Sequence, residues 1–158
     1  MIKLLIGILV TALTTFIGIR YSDRFAKRRI FYQNMRDFCN YYILNLSYKM
    51  DRVPEVMRAF SQKNDDASFI KTIGENIYKG EEIKISLPYL DESERKEAEK
   101  FFSSLGRSNN ETEKKLLGSS LEMFRAKLCE AAEKEKKYRV PAIKLGFAAG
   151  MIIFIIII

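Results

Sequence analysis

Any chemistry this chain performs must begin from a short inventory. It has no histidine, which removes the commonest general base and the commonest metal ligand. Its two cysteines, Cys39 and Cys129, form no C-x-x-C pair and have no histidine to complete a zinc site. Each falls within a helical pattern beside apolar neighbours, which predicts two buried free thiols and suits a reducing compartment. The paired carboxylates Glu81-Glu82 and Asp91-Glu92 sit in polar stretches beside lysines, where a solvated surface or a helix cap explains them. Serines and threonines lack a histidine partner for nucleophilic catalysis, which leaves a lysine as the one formal candidate for a base. No phosphate-cradling or dinucleotide glycine motif and no nucleophile elbow is present. The inventory points to a non-enzymatic protein without metal or cofactor.

The elements that would position any site are helices. The chain has 158 residues and a formal net charge of +7, and 47% of its residues are hydrophobic, but those residues are unevenly placed. Ile2 to Ile19 reads IKLLIGILVTALTTFIGI, with Lys3 the only charge. As a helix this run rises about 27 Å, close to the thickness of a bilayer core. A cleaved signal peptide is the rival reading, but no A-x-A-like site follows. Val140 to Ile158 reads VPAIKLGFAAGMIIFIIII; it rises about 28 Å as a helix and has no polar face after Lys144. The expected organisation is a transmembrane helix over 1–19, a helical bundle over 20–139 and a second transmembrane helix over 140–158.

The charge excess lies at the inner ends of both runs. Arg20, Arg24, Lys27, Arg28 and Arg29 follow the first; Lys134, Lys136, Lys137 and Arg139 precede the second. Cytoplasmic flanks carry the Lys/Arg excess, so the middle segment is expected in the cytoplasm and both termini on the opposite side. Anionic membrane lipid is a nearer partner for these charges than nucleic acid, and no nucleic-acid motif accompanies them. Small residues recur four apart in both runs: Gly7, Thr11 and Thr15, then Ala142, Gly146 and Gly150. That spacing lets helices approach closely in lipid and marks a candidate packing face, between the two spans or with a partner.

The middle reads as a compact bundle of about five to six helices. Phe31, Met35, Phe38, Tyr42 and Leu46 form one stripe on a helix that continues from the first span. Pro54 opens a second helix, with Val53, Val56, Met57 and Phe60 inward. Asp65 or Asp66 is expected to cap a third, stopped by Gly80. Glu81 to Leu90 reads as a short helix or an extended connector. Asp91 with Glu94 resembles a capping box for a fourth helix, stopped by Gly106. Ser108 with Glu111 resembles another, opening a last helix through Leu117, Leu121, Phe124 and Leu128, with Pro141 expected to kink or restart it. The stretch SLGRSNNETEKKLL therefore folds two helices back on each other. Gly106, Arg107, Ser108 and Asn109 are candidate partner-docking residues on that corner.

RYSDRFAKRR, LNLSYKMDRVPEVM, LGRSNNETEKK and KYRVPAIKLGFAAGMIIFIIII together resemble the stage III sporulation protein AB family over nearly the whole chain. Asn109 stands where the family pattern has aspartate, and Glu113 where it has glutamine. The resemblance implies a scaffold subunit of the secretion-like complex that links mother cell and forespore during sporulation. Its place would be the outer forespore membrane, with the helical domain in the mother-cell cytoplasm. The implied domain is similar to the cytoplasmic domains of the inner-membrane platform protein of type II secretion and type IV pili. The implied partners are the complex's secretion-type ATPase and its other membrane and ring-forming subunits. The competing expectation is a two-span regulatory or sensor subunit that binds another cytoplasmic partner.

Overall fold

The computed structural model describes residues 2–157, with side chains described for 6–156. Five α-helices and one 3₁₀ turn make up the fold, and there is no strand among the described residues. The helices are α1 (Ile2–Tyr48), α2 (Val53–Lys63), α3 (Ser68–Lys79), α4 (Glu92–Ser104) and α5 (Asn110–Ile157). Backbone contacts divide the chain into two units. One pairs residues 1–29 with 129–158, and the other is 30–128.

The 30–128 unit is built round an aromatic core. Phe31, Met35, Phe38, Tyr42 and Leu46 are buried along α1, as their spacing predicts. Phe38 packs on Phe60 of α2 and on Phe101 and Phe102 of α4, with ring centroids 5.5, 6.5 and 6.0 Å away. Phe101 meets Phe124 of α5 edge-on at 5.2 Å. Burial of such side chains stabilises by roughly 1.5–3 kcal/mol each. Two polar anchors join this core, one buried within it and one half-buried at its edge. The Tyr32 hydroxyl donates to Glu94 at 2.5 Å, and Lys127 pairs with Glu97. Both Glu94 and Glu97 belong to α4, so the polar anchors tie α1 and α5 to one helix.

The helix ends follow local chemistry, with some corrections to the sequence expectations. Asp91 and Glu94 form the reciprocal capping box of α4. Gly80 ends α3 at φ 72°, a left-handed conformation that suits glycine. Asp65 and Asp66 do not cap α3. They lie inside the 3₁₀ turn Asp65–Ala67, a tighter entry in which Asn64 accepts the Ala67 N–H at 3.0 Å. Residues 81–87 are an extended connector, pinned where the Ile85 N–H donates to Glu99 at 2.8 Å. Pro141 lies inside α5 without ending it.

Of the two cysteines, only Cys39 is buried; Cys129 is exposed. The expectation of two buried thiols fails because Cys129 lies in the two-helix unit, where a single neighbouring helix covers less surface than a bundle does.

Among the described residues, α5 is the one helix long and apolar enough to cross a membrane. Its apolar stretch has a mean hydropathy of 1.8, and only 6% of it is buried. On α1 the large apolar side chains Ile6, Ile8, Leu9, Leu13, Phe16, Ile17 and Ile19 are also exposed.

Candidate functional site

Two features concentrate the candidate residues, one in each unit. In the 30–128 unit, the corner between α4 and α5 brings Gly106, Arg107, Ser108 and Asn109 together on the surface, all four exposed. Its construction differs from the sequence reading. Leu105 ends α4 in an extended conformation, and Gly106 follows at φ 73°. The Gly106 N–H does not return to an α4 carbonyl; it donates to Glu113 Oε1 at 2.7 Å. A Cβ on Gly106 would lie 2.7 Å from Val53 Cγ2, so the corner also abuts the start of α2.

The cap of α5 is Asn109 rather than Ser108. Its Oδ1 accepts the Thr112 N–H at 2.9 Å, and its carbonyl accepts the Glu113 N–H at 2.9 Å. The helix begins one residue later than the Ser108/Glu111 reading placed it. Glu113, not Glu111, reaches back across the corner. This carboxylate is 2% exposed, and its Oε2 has no hydrogen-bond partner among the described residues.

A cavity of about 370 Å³ opens beside the corner, with Gly106, Ser108 and Glu113 on one side and Tyr42, Leu46 and Arg52 among the residues opposite. Arg107 and Asn109 are not in its lining. Burial, and then the charge of Glu113, raise the Tyr42 hydroxyl pKa above its ordinary value. Burial pushes the Cys39 thiol up to about 12, which leaves it protonated and unreactive. Among the described residues no group of three Cys, Asp or Glu side chains is placed to hold a metal.

In the two-helix unit, small residues form the crossing of α1 and α5. A Cβ on Gly146 would meet the Thr14 carbonyl at 2.8 Å and Gly18 Cα at 3.1 Å. One on Gly18 would meet the Ala142 carbonyl at 2.9 Å. Gly7 faces the Phe154 ring, and Gly150 faces Thr11 and Thr14. The Thr11 hydroxyl lies 2.9 Å from its own helix's Gly7 carbonyl and 3.3 Å from that of Gly150 on α5. Thr15, the third residue of the predicted stripe, bonds back to the Thr11 carbonyl at 2.7 Å.

The sequence reading missed Gly18 and Thr14. Gly18 lies eleven positions from Gly7, three turns along the same face, and that spacing was the available signal.

Charged side chains continue the pairing. Arg28 meets Glu130 at 3.5 Å, and Arg29 meets Glu135 at 2.5 Å. Glu135 also accepts from Arg139 at 2.8 Å. The hydrogen bond from Lys134 holds the Glu130 carboxyl below its usual range, with Arg28 contributing. Phe25 stacks on Tyr138 at 5.7 Å. Both features hold structure together and position surfaces; neither assembles a nucleophile, a base and an electrophilic donor in one place.

The model of the stage III sporulation protein AB family matches residues 3–158. No curated protein and no solved structure matches this chain.

Proposed function

This chain belongs to the stage III sporulation protein AB family, and from that membership we propose that it is a non-enzymatic, membrane-anchored scaffold of a secretion-like complex linking mother cell and forespore. Both ends of the chain anchor it in the outer forespore membrane. The 30–128 unit lies in the mother-cell cytoplasm, where it docks the complex's secretion-type ATPase and meets its other membrane and ring-forming subunits.

The observation that carries this reading is the exposure of apolar surface on the two-helix unit. The α5 stretch is only 6% buried at a mean hydropathy of 1.8, and such a surface in water would aggregate. The exposed apolar residues of α1 from Ile6 to Ile19 support a second span, since α1 and α5 pair through small residues as membrane helices do. Cations from Arg20 to Arg29 and from Lys134 to Arg139 support a cytoplasmic middle. The corner at Gly106–Asn109 supports docking because it is exposed and its backbone is fixed by Glu113, Asn109 and Val53.

The test is co-purification. The full-length chain, extracted in detergent, is expected to retain the secretion-type ATPase of its own complex. Arg107→Glu is expected to weaken that capture while leaving the chain folded. Robust capture of an unrelated regulatory protein, with no ATPase retained, would favour a two-span regulatory subunit instead. Orientation is checked with a reporter fused in frame at Lys63: a cytoplasm-active one is expected to work, and activity of a translocated one would reverse the topology.

A further inference from the structure

The cavity beside the α4–α5 corner is small and unevenly furnished. Its volume is about 370 Å³, near the lower end of the range for ligand sites, which suits one long side chain rather than a folded segment. Leu46, Met50, Pro54, Ile77 and Leu105 give it apolar walls. Its charged lining residues are Asp51, Arg52 and Glu113, which leaves one negative charge unbalanced. All of these residues belong to the 30–128 unit.

Glu113 stands out in that wall. It is 2% exposed, and its Oε1 accepts the Gly106 N–H at 2.7 Å, but among the described residues no donor reaches Oε2. The Tyr42 hydroxyl feels the Glu113 charge without satisfying that oxygen. Asp51 is already served by Asn45, whose Nδ2 donates to its Oδ2 at 2.8 Å. Arg52 lines the cavity but pairs with neither acid among the described residues. A buried carboxylate oxygen is costly to leave unbonded, so this wall favours an entrant that brings both a donor and a positive charge. The way in is lightly held. Met50, just beyond α1, and Asn110, the first residue of α5, both line the cavity and are joined by a 3.4 Å contact from Nδ2 to Sδ. A thioether is a weak acceptor on a flexible side chain, and Met50 is 65% exposed, so an entering group can displace it.

We propose that this cavity receives one arginine side chain of the partner docked at the corner, with its guanidinium paired to Glu113. The inference rests on the docking reading given above and names the chemistry by which the partner is held. The apolar walls suit the aliphatic stem of such a side chain while its charged head meets the acid. Arginine is favoured over lysine because a guanidinium is more weakly hydrated and gives up less on entering a buried site. A neutral donor would leave the Glu113 charge unbalanced, and an anion would be repelled by it.

The experiment uses the full-length chain in detergent, carrying Cys129→Ser, with N-acetyl-arginine amide as the probe. Cys39 is fully buried in the same unit, so its reaction with a thiol reagent reports opening of that unit. A ligand that binds only the folded unit slows this reaction, about elevenfold at ten times its Kd. The arginine amide is expected to slow it. The citrulline analogue, which keeps the shape and lacks the charge, is expected to leave the rate unchanged. Glu113→Gln keeps an oxygen for the Gly106 N–H but removes the charge, and is expected to abolish the protection; its rate without probe shows that it is folded. Ser108→Trp narrows the cavity with Glu113 in place and is expected to abolish the protection independently. No protection of the parent chain, equal protection by the citrulline analogue, or protection that survives both variants would overturn the proposal. Capture of the secretion-type ATPase is the second arm: Glu113→Gln is expected to weaken it, and undiminished capture would overturn the assignment of the arginine to that partner. A parent chain that the arginine amide protects but that retains no ATPase sinks the docking reading beneath the proposal and leaves the cation-binding cavity standing.

Discussion

Replacing Gly106 with alanine is expected to destabilise the 30–128 unit more than replacing Gly80, and the excess measures one contact. The two glycines have nearly the same backbone, φ 73° and φ 72°. An L-residue in that conformation costs about 1–2 kcal/mol. They differ in surroundings. Nothing lies within 4 Å of a Cβ on Gly80, whereas one on Gly106 would meet Val53 Cγ2 at 2.7 Å. Val53 is 9% exposed and stiff at its branched carbon, so it yields only at the cost of overpacking, about 1–3 kcal/mol.

Gly80→Ala should therefore cost about 1–2 kcal/mol and Gly106→Ala about 2–5 kcal/mol. Cys39 provides the assay. It is fully buried in this unit, so a thiol reagent reaches it only when the unit opens. In a Cys129→Ser background the modification rate reports opening, tenfold for each 1.4 kcal/mol or so. Adding Val53→Ala to Gly106→Ala should cost less than Val53→Ala does alone, because it also relieves the overlap. Equal rates for the two glycine variants, or strict additivity with Val53→Ala, would refute the packing argument.

The same reagent distinguishes the two thiols of the unmodified protein: at pH 8, one equivalent should react rapidly at the exposed Cys129. Cys39, held protonated by burial with its pKa at about 12, should react far more slowly, through opening of the unit, and two fast equivalents would contradict the core. Asn109→Ala should lower stability by about 1 kcal/mol through loss of the cap, while Ser108→Ala should change little; the reverse order in urea titrations would restore Ser108 as the cap. Gly118→Ala, with nothing within 4 Å, should stabilise α5 by about 0.5–1 kcal/mol. Gly146→Leu, against Thr14 and Gly18, should separate the helices, read as loss of a disulfide engineered across the crossing.

The helices themselves were legible in the sequence because their burial repeats with the helical period. The stripe from Phe31 to Leu46 gave the inward face of α1, and Asp91 with Glu94 gave the start of α4. Chain breaks at Gly80 and Gly106 were legible because glycine is the residue that tolerates positive φ. What remained hidden depended on partners distant in sequence. No local pattern shows that Gly106 donates to Glu113, that Val53 closes against the corner, or that Glu99 pins Ile85. Asn109 displaced Ser108 as the cap for a local reason: both are good caps, and the one-residue choice between them is set by where Glu113 reaches. In the two-helix unit the four-residue spacing of small residues identified Gly7, Gly146 and Gly150, but not Gly18, which shares their face at a spacing of eleven from Gly7 rather than in the series of fours.

The helix crossing joins segments far apart along the polypeptide, Thr11 and Gly150 being 139 positions apart. The intervening residues, 30–128, are a folded body of their own. Tethering two ends through roughly a hundred disordered residues carries an entropic penalty of about 4 kcal/mol, and a folded insert removes most of it by holding its termini at fixed separation. Anything that melts the insert therefore dilutes the two greasy segments with respect to each other. A core mutation in the insert would in this way loosen the hairpin without touching a single atom of it.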